Sequence, residues 1–270
     1  MNTKEIQNKI NELNEVQPWN HNFELPNGLQ TSKAKQISHG KNLVKFERIA
    51  KILNLLELNN KNVLDMGCNE GFFSLKMEEM NAKVTSIDID KHRIEKANFI
   101  KDLIKPDANI TYKELDIYSE DLNFLDKFDI CLCLGFIHRI PDPFRAVSLL
   151  ASKSDIIIFE WKSLKFGSHD EPFAYFSMKD IDYDDYYGTE YWLLSYKALE
   201  RVLERNGFKN FHRIDDPRQK RSILVAGKVD HDIFNIPDII IHRNKIHSLL
   251  SHSKRFLSVI YKVITGKLNA

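Results

Sequence analysis

Asn62-Val63-Leu64-Asp65-Met66-Gly67-Cys68-Asn69-Glu70-Gly71-Phe72-Phe73-Ser74 decides the fold of this chain. An apolar run of strand length meets two glycines and then a helix-forming segment. The Gly67–Gly71 turn lets the backbone approach a ligand where a side chain would clash. The next apolar run ends on Asp88. A strand, a glycine turn, a helix and an acidic strand end together form the way α/β folds hold a nucleoside.

Strands and helices alternate outward from this stretch. Short apolar runs predict strands at 62–66, 83–89, 109–116, 128–134 and 155–161, with helices at 71–80, 91–104 and 142–152. Continuous apolar runs suit strands covered on both faces. The βαβα order with short links predicts a parallel sheet with right-handed crossovers. A helix at 195–206 stops at Gly207, a C-cap signal, and 208–214 and 222–229 then read as a hairpin around Asp215-Asp216-Pro217-Arg218. The expected architecture is a doubly wound, mostly parallel seven-stranded sheet of Rossmann-like α/β class, closed by an antiparallel hairpin. Helical extensions are expected at both ends.

Three carboxylates stand at successive strand ends: Asp65, Asp88 and Asp116, the last followed by Ile117. Asp88 suits a ribose, because a carboxylate accepts two hydrogen bonds from a diol. Asp90 is the alternative for that role, or an N-cap for the next helix. A dinucleotide fingerprint needs a glycine two residues after Gly67 to admit a pyrophosphate. Asn69 stands there instead, so the nucleotide-dehydrogenase reading is disfavoured.

Residues 42–229 resemble the class I S-adenosylmethionine (SAM) dependent methyltransferases. More narrowly, four pieces are similar to the tRNA wobble-uridine carboxymethyltransferase family and its methyltransferase-like relatives. These are Lys45-Phe46-Glu47-Arg48, the VLDxGCxxG turn, Leu134-Gly135-Phe136-Ile137-His138-Arg139 with Pro143, and Leu194-Ser195…Leu199…Leu203…Gly207-Phe208. The resemblance implies SAM as cofactor, with Asp65 toward the ammonium, Gly67, Asn69 and Gly71 in the turn, Asp88 on the ribose, and Asp116 and Ile117 at the adenine. It places Lys45 near cofactor and substrate. Carboxymethyl-transferring members resemble G-x-x-Y-H-R at the fourth-strand exit, where the tyrosine helps hold the extra carboxylate of carboxy-SAM. Here the segment is one residue shorter and lacks that tyrosine, so plain methyl transfer is expected.

His138 is the expected general base, since an unperturbed imidazole titrates near neutrality. Its other reading, with Arg139, is bracing the loop or holding an anionic acceptor. Glu160 ends the fifth strand and could face the acceptor. Trp19, His21 and Phe23, in the aromatic loop 17–28, are expected to form a lid opposite Tyr191 and Trp192, with packing as the other reading of each taken singly. The long connection 162–194, with Tyr183, Tyr186, Tyr187 and the acidic run Asp180, Asp182, Asp184, Asp185, leaves the ligand-binding side of the sheet.

The chain has 270 residues, 43% hydrophobic and 29% charged, and a net charge of +1, so no global field draws it to nucleic acid. The acceptor is therefore expected to be a small molecule, glycan or lipid-linked precursor, with tRNA as the alternative and a non-catalytic cofactor-binding module as a third reading. Cys68, Cys131 and Cys133 have neither disulfide nor zinc spacing, and no metal is expected. Without an apolar leader or a membrane-length run, a cytoplasmic location is expected. The divisions expected are 1–41 (helix and lid), 42–229 (catalytic domain) and 230–270 (basic helical tail). Residues 241–270 carry Arg243, Lys245, Lys254, Arg255, Lys262 and Lys267 and no acidic residue. Such a helix suits an anionic membrane or RNA; packing on its own domain or on a second subunit is the other reading.

Overall fold

A computed structural model describes residues 1–31, 39–163, 171–178, 190–215 and 221–240. Helix α1 (Thr3–Val16) starts at a capping box, in which Asn2 and Glu5 exchange hydrogen bonds, satisfying two amides that the first turn leaves unpaired. Its Ile6, Ile10 and Leu13 are buried, as their spacing predicts. Helix α2 (His39–Leu55) buries Ile49, Ile52 and Leu53.

The alternating region follows in the expected order: β1 (Asn62–Met66), α3 (Phe72–Glu78), β2 (Lys83–Asp88), α4 (Lys91–Ile104), β3 (Ile110–Glu114), β4 (Phe128–Leu134), α5 (Pro143–Lys153) and β5 (Ser154–Trp161). Two strands that the sequence pattern did not predict, β6 (Ala174–Met178) and β7 (Glu190–Leu194), pair into a separate antiparallel hairpin. Then come α6 (Tyr196–Arg205), β8 (Asn210–Asp215), β9 (Ser222–Gly227) and β10 (Ile239–Ile240). The main sheet runs β10-β8-β9-β5-β4-β1-β2-β3, the expected seven strands plus a two-residue edge strand. Strands β1 to β5 pair in parallel; β9 is antiparallel to β5 and to β8, which confirms the closing hairpin.

Alternate residues of each strand enter opposite cores. In β4, Ile130 and Leu132 join the layer containing α1 and α2, while Cys131 and Cys133 join the layer containing α5 and α6. Burial on both faces explains the unbroken apolar runs. The cysteines are free and buried, and burial pushes the Cys68 thiol far above its ordinary value, so they behave as small apolar side chains. Among the described residues no helix is long and apolar enough to cross a membrane, and no cluster suits a metal ion. The tail 241–270, the acidic run and Tyr183, Tyr186 and Tyr187 lie outside the described residues.

Parallel pairing carries the ends of β1, β2, β4 and β5 to one edge of the sheet. Asp65 lies beside Leu132, and Leu134 beside Glu160. Every chemistry-bearing strand end therefore opens on the same side, at the crevice where α/β sheets bind ligands.

Candidate active site

The glycine turn has a strained backbone. Gly67 and Gly71 have φ of 72° and 79°, and Asn69 between them has φ of 54°. Only glycine adopts this left-handed region without cost, and asparagine comes next. The amides of Gly67 and Cys68 both donate to the Ile87 carbonyl, at 2.8 and 3.0 Å, which seats the turn on the end of β2. A Cβ on Gly67 would lie 2.7 Å from the Phe136 ring, and one on Gly71 would collide with the Tyr112 hydroxyl.

Asp88 is 8% exposed. Its carboxylate accepts from the Asn69 amide at 2.9 Å and the Asp90 amide at 3.1 Å. These two amides set the orientation of the carboxylate at the end of β2, and a carboxylate is the group that pairs with a diol. Asp90 accepts from the His92 amide at 2.9 Å and so is the N-cap of α4; of its two readings, the structure takes the capping one. Asp116 lies just beyond β3, where it closes a turn by accepting from the Tyr118 amide at 2.9 Å. Gly67, Asp88, Asp116, Ile117 and Phe136 line one crevice. A carboxylate for a ribose, the backbone of Gly67 and an apolar wall of Ile117 and Phe136 for a purine all fit an adenosyl group.

Asp65 sits under the turn and not in that lining. It is 2% exposed and accepts from the Ser74 hydroxyl at 2.6 Å, which in turn accepts from Ser86 at 2.9 Å. Burial pushes its carboxyl up to about 6, against the pull of the Ser74 hydrogen bond. Its contacts are those of a support beneath the turn; the expectation for it was the ligand's ammonium, received directly or through water.

A second group of side chains gathers at the exits of β4 and β5. Glu160, 1% exposed, accepts from Arg221 at 3.0 Å and lies 3.6 Å from the Lys45 ammonium. The Gly135 amide donates to the Glu160 carbonyl at 2.7 Å. Gly135 has φ of 78°, and a Cβ there would sit 2.8 Å from the Arg221 guanidinium. Burial pulls the Lys45 ammonium below its ordinary value, and Arg221 and Arg139 act in the same direction while Glu160 opposes them. Among the described residues Lys45 and Arg221 thus converge on the buried Glu160 carboxylate.

His138 lies within this group but is 1% exposed. Burial, reinforced by Arg221, Arg139, Lys162 and Lys45, pushes its imidazole down to about 2. Burial and these cations disfavour the protonated ring, unlike the ordinary imidazole on which the expectation of a base rests.

The lid expectation is corrected too. Trp19 is 2% exposed; its indole donates to the Ile10 carbonyl at 3.2 Å, and the Lys96 ammonium stands 4.8 Å from its ring. His21 is packed edge-on against Phe23 and Phe72, and burial, with Lys45 and Arg93, lowers its pKa to about 3. Both residues are wedged between α1, α4 and the glycine turn. Tyr191 belongs to β7, where it pairs with Ser177. That hairpin is tied to the site by Trp192, whose amide donates to the His138 carbonyl at 3.0 Å.

Sequence reasoning missed Arg221 and Glu70. Arg221 immediately precedes β9, and β9 runs antiparallel to β5 with Trp161 opposite Ser222; correct register would have placed it near Glu160. Glu70 is a fully buried acid inside the turn, and nothing in the local run Asn69-Glu70-Gly71 marks it as buried.

A methyltransferase-domain family model matches residues 57–204. The tRNA U34 carboxymethyltransferase of Nautilia profundicola is 30% identical over 195 residues, covering 67% of this chain and 60% of that protein. The Helicobacter acinonychis protein of the same name is 26% identical over 255 residues, 85% of this chain and 86% of that one. The chain thus spans about three fifths of the Nautilia relative's length. Among solved structures, the N-terminal domain of EvdMO1, crystallised with SAH and D-fucose, has the same fold. It gives a TM-score of 0.63 at 19% identity, with 85% of this chain and 98% of that one covered. SAM-bound magnesium protoporphyrin IX methyltransferase from Synechocystis PCC 6803 gives 0.52 at 17% identity, with 73% and 86% covered.

Proposed function

The chain belongs to the methyltransferase-domain family, and from that premise we propose that it transfers a SAM-derived group to the wobble uridine of tRNA, with residues 42–229 as the catalytic domain. The relatives' name supports this acceptor over the small-molecule, glycan or lipid-linked acceptor expected from the near-neutral charge. The single observation that carries the reading is the pair of cations Lys45 and Arg221 held on the Glu160 carboxylate beside the adenosyl crevice. Cations fixed in such a place suit an anionic group of the donor. A donor carboxylate, as in carboxy-SAM, is the anion we assign to them.

When bound, the donor supplies an activated carbon on a sulfonium. The chain's own residues orient the two partners and exclude water. Asp88 holds the ribose, the turn of Gly67, Asn69 and Gly71 brings its backbone close to the donor, and Asp116 with Ile117 receives the adenine. Asp65 props the turn from below. Lys45 and Arg221, fixed by Glu160, set the position of the transferable end. His138 braces the β4 exit, where its carbonyl accepts from the Trp192 amide.

A second reading, plain methyl transfer from SAM, is favoured by the missing tyrosine. Ile137 is fully buried and Phe136 lines the adenosyl crevice, so neither supplies a hydroxyl to a carboxylate. The test is incubation of the full chain with unmodified tRNA and either carboxy-SAM or SAM, followed by nucleoside mass spectrometry. A carboxymethyl gain on uridine with carboxy-SAM supports the first reading, and a methyl gain with SAM alone supports the second. Unchanged tRNA in both arms would discard the tRNA acceptor.

A further inference from the structure

Glu70 stands inside the glycine turn and is completely buried. Its carboxylate accepts from the backbone amides of Asn20, at 2.9 Å, and His21, at 2.6 Å. The Arg93 guanidinium donates to it at 2.7 Å, and the Lys96 ammonium lies 3.6 Å away. A buried carboxylate is tolerated only when it is matched in this way. Both cations come from α4, the helix that Asp90 caps, and the two amides come from the segment that follows α1. Gln17 of that segment also donates to Asp90 at 2.7 Å.

The contacts continue into the cofactor crevice. With the Asn20 amide oriented so that its oxygen faces donors, it accepts from Arg93 at 2.9 Å and from the Asn69 side chain at 3.0 Å. Asn69, held at positive φ, gives its backbone amide to Asp88. One buried acid therefore joins residues 17–21, the start of α4 and the turn that shapes the ribose-binding carboxylate.

We propose that Glu70 is a positioning residue for the cofactor: it fastens the N-terminal segment onto the turn and so holds Asn69 and Asp88 in their receiving geometry. Residues 1–31 then serve cofactor affinity and not acceptor enclosure. The inference rests on the SAM reading given above.

The test is calorimetric titration of SAM into the full-length protein and its Glu70→Gln and Glu70→Ala variants. Glu78→Ala serves as the control, because it removes another buried acid, paired to Lys105 at 2.6 Å, on the far end of α3. Glu70→Ala should weaken SAM binding about tenfold or more, while turnover at saturating SAM stays within about threefold of the parent. Glu70→Gln, which keeps an acceptor for the amides, should recover part of the affinity. Glu78→Ala should lose thermal stability and keep its SAM affinity. Unchanged SAM affinity in both folded Glu70 variants would overturn the inference, and so would an equal loss of affinity in Glu78→Ala. If Glu70→Ala does not fold, the Glu70→Gln affinity decides in the same way. Absence of SAM binding by the parent protein would instead overturn the cofactor reading on which the inference stands.

Discussion

The backbone amide of Asn69 donates to the Asp88 carboxylate at 2.9 Å. That bond ties the glycine turn to the end of the neighbouring strand, so the cradle and the ribose acceptor form one rigid unit.

Asp88→Ala removes the ribose acceptor and releases the Asn69 and Asp90 amides. SAM affinity should fall by at least about a hundredfold, or roughly 3 kcal/mol, while the circular dichroism spectrum keeps its α/β shape. Calorimetry checks this; an affinity equal to that of the parent would remove Asp88 from the cofactor site.

Gly135→Ala puts a methyl group at φ of 78°, 2.8 Å from the Arg221 guanidinium. The backbone alone costs about 1–2 kcal/mol, and Arg221 must shift away from Glu160. Denaturant unfolding should show the stability loss, and turnover should fall further than SAM affinity, because the adenosyl crevice is untouched. Loss of affinity without loss of turnover would contradict this.

Asp65 gives the fold a pH dependence. Its folded-state pKa is raised to about 6 from the ordinary 3.8 by burial. The stability linked to it is fully present below 3.8 and is lost as pH rises through 6. Two units correspond to about 3 kcal/mol. Asp65→Asn should therefore melt higher than the parent at pH 7.5 and no higher at pH 3.5. A gain of equal size at both pH values would show that the carboxyl's ionisation is not its source.

His138 titrates far below neutrality because it is buried among cations. The pH profile of turnover should show no ionisation near 6.5, and His138→Gln should leave the shape of that profile unchanged. An inflection near 6.5 that vanishes in His138→Gln would restore the imidazole as a base.

The β1–turn–α3 unit, the acids closing β1 and β2 and the antiparallel end of the sheet were legible in sequence, because each is a local pattern. Asp116 was legible as a type and a position, although it falls beyond β3. The β6–β7 hairpin was not, since its strands are separated by a long insertion and carry no hairpin turn signal. Trp19 and His21 were read as a lid because an aromatic loop does not encode which way it faces; that depends on α4 presenting Lys96 and Arg93. The basicity of His138 was overestimated because the cations around it come from residues 45, 139, 162 and 221, which only the sheet register brings together. Arg221 and Glu160 are 61 residues apart, and no spacing rule reaches across that distance.

The sharpest check on a sulfonium cofactor at this site is mass spectrometry of the small molecules released from the purified full-length protein. Release of SAM, carboxy-SAM or the S-adenosylhomocysteine that both leave after transfer, in amounts lowered by Asp88→Ala, is the predicted result. Release of a dinucleotide in their place would contradict it, as would failure of both added SAM and added carboxy-SAM to bind the ligand-free protein.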